Sequence, residues 1–250
     1  RLITVIKSRG GIGATALATQ LACRFAASEG RAGREVCLID FDVQFGDAAF
    51  QLGLGPRLTL FDLVEAGARL DGPMLRSTTV QHPSGLHVAA APPELLPLDA
   101  VSNEQVLAIA ERAQREFGTV FVDLPANWTN WSLSLVARSQ MVLLVTDLSV
   151  AGLNRARRQL KLLGEQGLGD VPLKIIVNRF EKSVFRPVKT GDAATALGRE
   201  VDFTVANDPD VIGAAIDQGV PIDDIKRRSA LGRDLDAIDA ALAAELGLER

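Results

Sequence analysis

The stretch Val5-Ile6-Lys7-Ser8-Arg9-Gly10-Gly11-Ile12-Gly13-Ala14-Thr15-Ala16 decides how the chain reads. An apolar run from Leu2 to Ile6 enters a glycine cluster, and apolar residues then recur at helical spacing from Thr15 to Phe25, so the order is strand, tight loop, helix. Such a loop binds phosphate. Its glycines let the backbone turn sharply and converge several N–H groups on one point, while the helix behind them adds the positive end of its dipole. Thr15 is placed to offer its hydroxyl to a magnesium ion. A full phosphate-binding loop reads G-x-x-x-x-G-K-[ST]; aligned on Gly13 and Thr15, this chain has Ser8 for the first glycine and Ala14 for the lysine. Losing the lysine removes a charge-assisted contact of about 1.5–3 kcal/mol, and more where charge develops on a transferring phosphoryl group. Binding is therefore expected to survive better than hydrolysis. On the loop alone, a ligand-free glycine turn stays an open alternative.

Two further strands end in carboxylates. Glu35 to Ile39 is a buried strand delivering Asp40 and Asp42, and Thr119 to Val122 is another, ending at Asp123-Leu124-Pro125-Ala126. In an open parallel sheet the ligand lies outside the carboxyl ends of the strands, so these aspartates should share one crevice with the glycine loop. Helix caps and turns are the competing reading for each.

Strands and helices go on alternating along the chain. Leu86 to Ala90, Gln140 to Thr146, Leu173 to Val177 and Val201 to Val205 read as strands. Ser102 stands in capping-box register with Gln105 at the head of a helix running to about Phe117, and Asn207-Asp208-Pro209 starts another that ends near Gly219. Trp128 and Trp131 are expected to anchor a helix running to Ala137. The closing helix, about Ser229 to Leu248, sets Leu235, Ile238, Leu242 and Leu246 on one stripe. No repeat or linker divides the sequence, which predicts a single α/β domain over 1–250, a doubly wound and mostly parallel sheet with helices on both faces.

Composition removes several classes. With 27 Lys+Arg against 31 Asp+Glu the net charge is −4, so no overall basic field recruits nucleic acid or anionic lipid. Arg155, Arg157, Arg158 and Lys161 are read as a solvated helix face; a DNA reading would rest on them and on the Lys226-Arg227-Arg228 run, and the acidic overall charge makes DNA an unfavoured partner. The polar face of the last helix is mainly acidic, unlike that of a membrane-binding helix. Cys23 and Cys37 sit in apolar stretches as buried thiols of a reducing compartment, and His82 and His87, around Pro83-Ser84-Gly85, read as surface-loop residues rather than zinc ligands. No apolar run is long enough to span a bilayer and no signal peptide is visible, so a cytoplasmic protein is expected.

Taken together, the chain resembles the ParA/MinD superfamily of deviant phosphate-loop ATPases. Ser8 to Thr15 resembles its K-G-G-x-G-K-T loop, Leu38-Ile39-Asp40-Phe41-Asp42 its first switch, and Val122-Asp123-Leu124-Pro125 its second. Val177-Asn178-Arg179 resembles the segment that contacts adenine, and Val205-Ala206-Asn207-Asp208-Pro209 with Ala215, Gly219 and Pro221 the late P-x-D-P segment, with Ala206 standing where a proline is usual. Alanine at position 14, and tryptophans after Asp123-Leu124-Pro125, are most similar to the CpaE/TadZ branch, which serves Flp/Tad-type pili.

That resemblance implies ATP and Mg2+ as ligands. Ser8, Arg9, Gly10, Gly11, Ile12, Gly13, Ala14, Thr15 and Ala16 would surround the phosphates, with Thr15, Asp40 and Asp123 at the metal. Asp42 would position the attacking water, and Asn178, Arg179, Asn207 and Asp208 would lie near the base. Arg9 replaces the signature lysine that reaches across an ATP-sandwiched dimer, which makes Arg9 and Asp42 the catalytic candidates. The partners implied are a second copy of the chain and pilus-assembly proteins, with recruitment to the cell pole or the inner face of the membrane. A receiver-like domain upstream of Arg1 is also expected, since branch members commonly carry one. An active ATPase for DNA partitioning or division-site positioning is the alternative.

Overall fold

Eight runs rich in Val, Ile, Leu and Phe pair into one sheet in the computed structural model, which describes residues 1–181 and 190–248. In chain order the strands are β1 (Leu2–Lys7), β2 (Val36–Asp40), β3 (Val80–Gln81), β4 (Leu86–Ala89), β5 (Thr119–Asp123), β6 (Met141–Thr146), β7 (Leu173–Phe180) and β8 (Phe203–Ala206). They lie in the order β3-β4-β2-β5-β1-β6-β7-β8. Every pairing is parallel except β3 with β4, where Val80 faces Val88 and Gln81 faces His87.

Helices cover both faces of the sheet, which is why β1, β2, β5 and β6 are buried along their whole length and read as unbroken apolar runs. One core layer joins Val106, Ile109, Leu135 and Val136 to the sheet, and the other joins Leu17, Leu21, Phe25, Leu235 and Ile238. Phe25 meets Phe121 edge to face at 5.2 Å in that second layer. Trp131 donates its indole N–H to the Leu98 carbonyl and is 4% exposed, so it does anchor the Asn130–Arg138 helix, as its sequence position predicts.

The sheet matches the doubly wound architecture expected, with local departures. A helix at Gly72–Thr78, capped by Asp71, and the two-residue edge strand β3 fill a stretch in which the sequence signals no element. Both are too short for periodicity to register. His82 corrects an expectation: it is buried, not a surface-loop residue. Its Nε2 lies 3.0 Å from the Gly219 carbonyl and its Nδ1 2.9 Å from Ser84 Oγ, so hydrogen bonds satisfy a ring that the sequence could only rank as polar. Cys23 and Cys37 are buried and unpaired as expected, and burial pushes the Cys23 thiol up to about 11. No described helix is long and apolar enough to cross a membrane.

Candidate functional site

β1 sits at the middle of the sheet, between β5 and β6, and the loop that leaves its carboxyl end turns straight into the Ala14–Arg31 helix. The turn depends on glycine. Gly11 and Gly13 take φ of 76° and 79°, and a Cβ on Gly13 would come 2.9 Å from Asn178 Nδ2. That amide donates to the Ile12 carbonyl at 2.8 Å and so docks β7 onto the loop. No side chain caps the Ala14–Arg31 helix and no acidic residue enters its first turn. By contrast, Ser102, Thr129, Ser149, Asp208 and Ser229 cap later helices through side-chain oxygens. The first-turn amides behind Gly13 are thus left facing an open crevice.

The crevice is a cleft of about 950 Å³. Gly10 to Ala16 form one wall, Asp42, Gln44, Phe45 and Asp47 a second, and Asn178, Arg179 and Val205 to Pro209 a third. Of the residues predicted from the sequence, Gly10 to Ala16, Asp42, Asn178, Arg179, Asn207 and Asp208 line this cleft, while Ser8, Arg9, Asp40 and Asp123 do not. Ile12 and Ala14 bury their side chains in the core and offer only backbone. Ser8 is buried, while Arg9 stands at the rim and pairs with Asp147, whose carboxylate also accepts from Ser149. Asn207 donates to Glu181, and Asp208 caps the Pro209–Gln218 helix through Val211 N–H.

The strand-end aspartates divide into two kinds. Asp40 turns both oxygens to backbone, accepting from Asp42 N–H at 3.1 Å and from Ala48 N–H at 3.0 Å. Burial pushes its carboxyl up to about 8, reinforced by the Asp123 charge and opposed by those two amides and by Lys7. Its geometry is that of a turn aspartate, the competing reading weighed from sequence. Asp42 and Asp123 instead face a cation that sequence reasoning missed.

Lys7, the last residue of β1, is 7% exposed and sends its ammonium back under the loop. Nζ lies 3.2 Å from Asp123 Oδ1, 3.3 Å from Asp123 Oδ2, 3.3 Å from Thr15 Oγ1 and 3.7 Å from Asp42 Oδ2. Desolvation alone would lower its pKa, but the Asp123, Asp42 and Asp40 carboxylates outweigh it and hold the ammonium above the usual lysine range. Burial likewise raises the Asp123 carboxyl, against the pull of Lys7 and Thr15. The signal that could have found Lys7 is a lone charge ending an otherwise apolar buried strand, next to a loop that has lost its lysine.

No protein-family model matches the chain. Among curated proteins it is similar to the septum site-determining protein MinD of Thermotoga maritima, at 25% identity over 226 residues, 88% of this chain and 80% of that protein. Among solved structures it superposes on a ParA family ATPase of Chlorobium tepidum with a TM-score of 0.87 at 22% identity, covering 97% of this chain and 98% of the other. The fold is that of the ParA/MinD P-loop NTPases. MinD of Pyrococcus horikoshii, solved as a complex with Mg-ADP, superposes with a TM-score of 0.80 at 18% identity over 99% of this chain and 97% of that one.

A phosphate and a magnesium ion, as in the Mg-ADP complex of that neighbour, meet different conditions at the residues present here. The uncapped amides and glycine cradle fit a phosphate. As they stand, Thr15 and Asp123 are not spaced as two direct ligands of one magnesium ion. Thr15 Oγ1 donates directly to Asp123 Oδ2 at 2.5 Å, whereas neighbouring ligands of an octahedral magnesium with bonds of about 2.0–2.1 Å lie about 3 Å apart. Among the described residues no group of three or more His, Cys, Asp or Glu is arranged to hold a metal ion.

Proposed function

We propose that this chain is an ATP-binding positioning protein of the ParA/MinD type that hydrolyses ATP slowly or not at all. The observation that carries the reading is the uncapped helix N-terminus behind the glycine cradle, opening on a cleft of about 950 Å³ whose far wall is Asn178, Arg179, Asn207 and Asp208. The cleft has the size of a small-molecule site. In this reading Gly10, Gly11, Gly13, Ala14 and Thr15 bind phosphate through backbone donors, and Asn178, Asn207 and Asp208 flank the base. Asp42 lines the same cleft and is the side chain that would position an attacking water. Slow turnover follows from Ala14, which supplies no ammonium to a developing phosphoryl charge. Equilibrium titration with ATP tests the reading, and no binding at millimolar ATP overturns it.

Dimerisation over the nucleotide, with Arg9 released from Asp147 to reach the second copy, belongs to the same proposal. Sedimentation with and without ATP measures it. The finer assignment to Flp/Tad pilus assembly rests on Ala14 and on Trp128 and Trp131 after Pro125. Loss of surface pili in a deletion strain is the expected outcome, and intact pili overturn it.

A second reading is a working ATPase in cell-division positioning, favoured by the likeness to the MinD of Thermotoga maritima. Phosphate release from the parent, Arg9→Ala and Asp42→Ala separates the two. Equal background rates in all three remove the enzyme.

A further inference from the structure

One atom, Lys7 Nζ, touches the oxygens that a divalent ion would need, Thr15 Oγ1 and both oxygens of Asp123, and comes within 3.7 Å of Asp42. Its stem leaves little freedom to be elsewhere. Lys7 is held in β1 opposite Val145, its carbonyl accepts from Gln159 Nε2 at 2.9 Å, and its side chain is 8% exposed. Yet Lys7 lines the cleft together with Gly10 to Thr15, and its ammonium reaches that wall at Thr15 Oγ1. We propose that Lys7 is the resident cation of the nucleotide site, standing where a divalent ion would stand, so that the chain takes a nucleoside triphosphate without magnesium. The inference rests on the nucleotide reading above and deepens it.

The chemistry is coherent with the rest of the loop. Ala14 leaves the helix side of the cradle without a charge, and Lys7 returns one positive charge from the strand side. An ammonium carries three donors. Thr15 and Asp123 take two, and the third, which now points towards Asp42 at a distance too long for a hydrogen bond, is free to turn to a phosphate oxygen. An ammonium also tolerates irregular geometry that an octahedral ion does not. The bound state gains a point charge, but only one unit of it, which agrees with binding that outlasts hydrolysis.

Isothermal titration of the full chain with ATP, in excess EDTA and in excess magnesium chloride, tests the assignment for the parent and for Lys7→Met. Expected for the parent are dissociation constants within about threefold of each other in the two buffers. Lys7→Met should lose about tenfold or more in EDTA and recover with magnesium, because the vacated space then admits the ion. A parent that weakens more than about tenfold in EDTA overturns the inference and leaves the nucleotide reading standing. A Lys7→Met variant that binds ATP as well as the parent in EDTA also overturns it. No ATP binding in either buffer overturns both readings. Should Lys7→Met fail to fold, the two parent titrations decide alone.

Discussion

Lys7 and Arg9 flank Ser8 under opposite conditions. The Lys7 side chain is 8% exposed and closed in by Asp123, Asp42 and Thr15, whereas the Arg9 side chain is 33% exposed and held at the rim by Asp147. β1 ends between them, so the position that still belongs to the strand buries its charge and the one that belongs to the loop does not. The difference teaches which cation is built into the fold and which is available. A buried ammonium among carboxylates is part of the structure of the crevice, while a partly exposed guanidinium with one charged partner can leave at little cost.

That contrast can be broken most severely at the buried end. Lys7→Met leaves Asp123 and Asp42 facing each other without their cation, and it should destabilise the protein by about 3–5 kcal/mol in urea denaturation at neutral pH. The Asp40 carboxyl sharpens the same comparison through pH. Its folded-state pKa of about 8 lies above the value of about 4 in an unfolded chain, so between those limits the folded state holds the proton more tightly. Its contribution is therefore present at low pH and lost as pH rises through about 8, at up to about 1.4 kcal/mol for each pH unit. Denaturation at about pH 5.5 and about pH 8.5 should show the fall in the parent and flatten it in Asp40→Asn. Gly13→Ala comes next. Its Cβ would strain a left-handed residue and push on Asn178 Nδ2, costing about 1–3 kcal/mol in stability together with the docking of β7 on the loop. ATP titration should show binding lost. The smallest effect belongs to the rim, where Arg9→Ala should cost less than about 1 kcal/mol in thermal denaturation because the pair it breaks is partly solvated.

Much of the fold was legible because parallel strands buried on both faces leave long apolar runs, and β1, β2, β5 and β6 did so. Caps were legible for a local reason: Ser102 and Gln105 exchange side-chain and backbone hydrogen bonds as their spacing requires. The meeting of Gly13, Asp42 and Asn178 in one crevice followed from strand-end topology. What escaped was set by contacts distant in sequence. His82 is buried by a carbonyl that lies 137 residues away. Asp40, on a strand end indistinguishable by pattern from that of Asp123, spends its oxygens on the turn that follows it. Lys7 drew no reading of its own from the sequence, because its partners, Asp123 and Asp42, meet it only when the sheet forms.

Gly219 ends the Pro209–Gln218 helix in a left-handed turn, and its backbone lies so near Gly53 that an added Cβ would come within 2.7 Å of Gly53 Cα. The seam joins the residues that follow two helices, Ala48–Gln51 on the aspartate side of the cleft and Pro209–Gln218 on the base side. They form a common jaw rather than two independent lips. A methyl group at Gly219 would strain its left-handed backbone and press on Gly53, parting the two sides of the cleft where they meet.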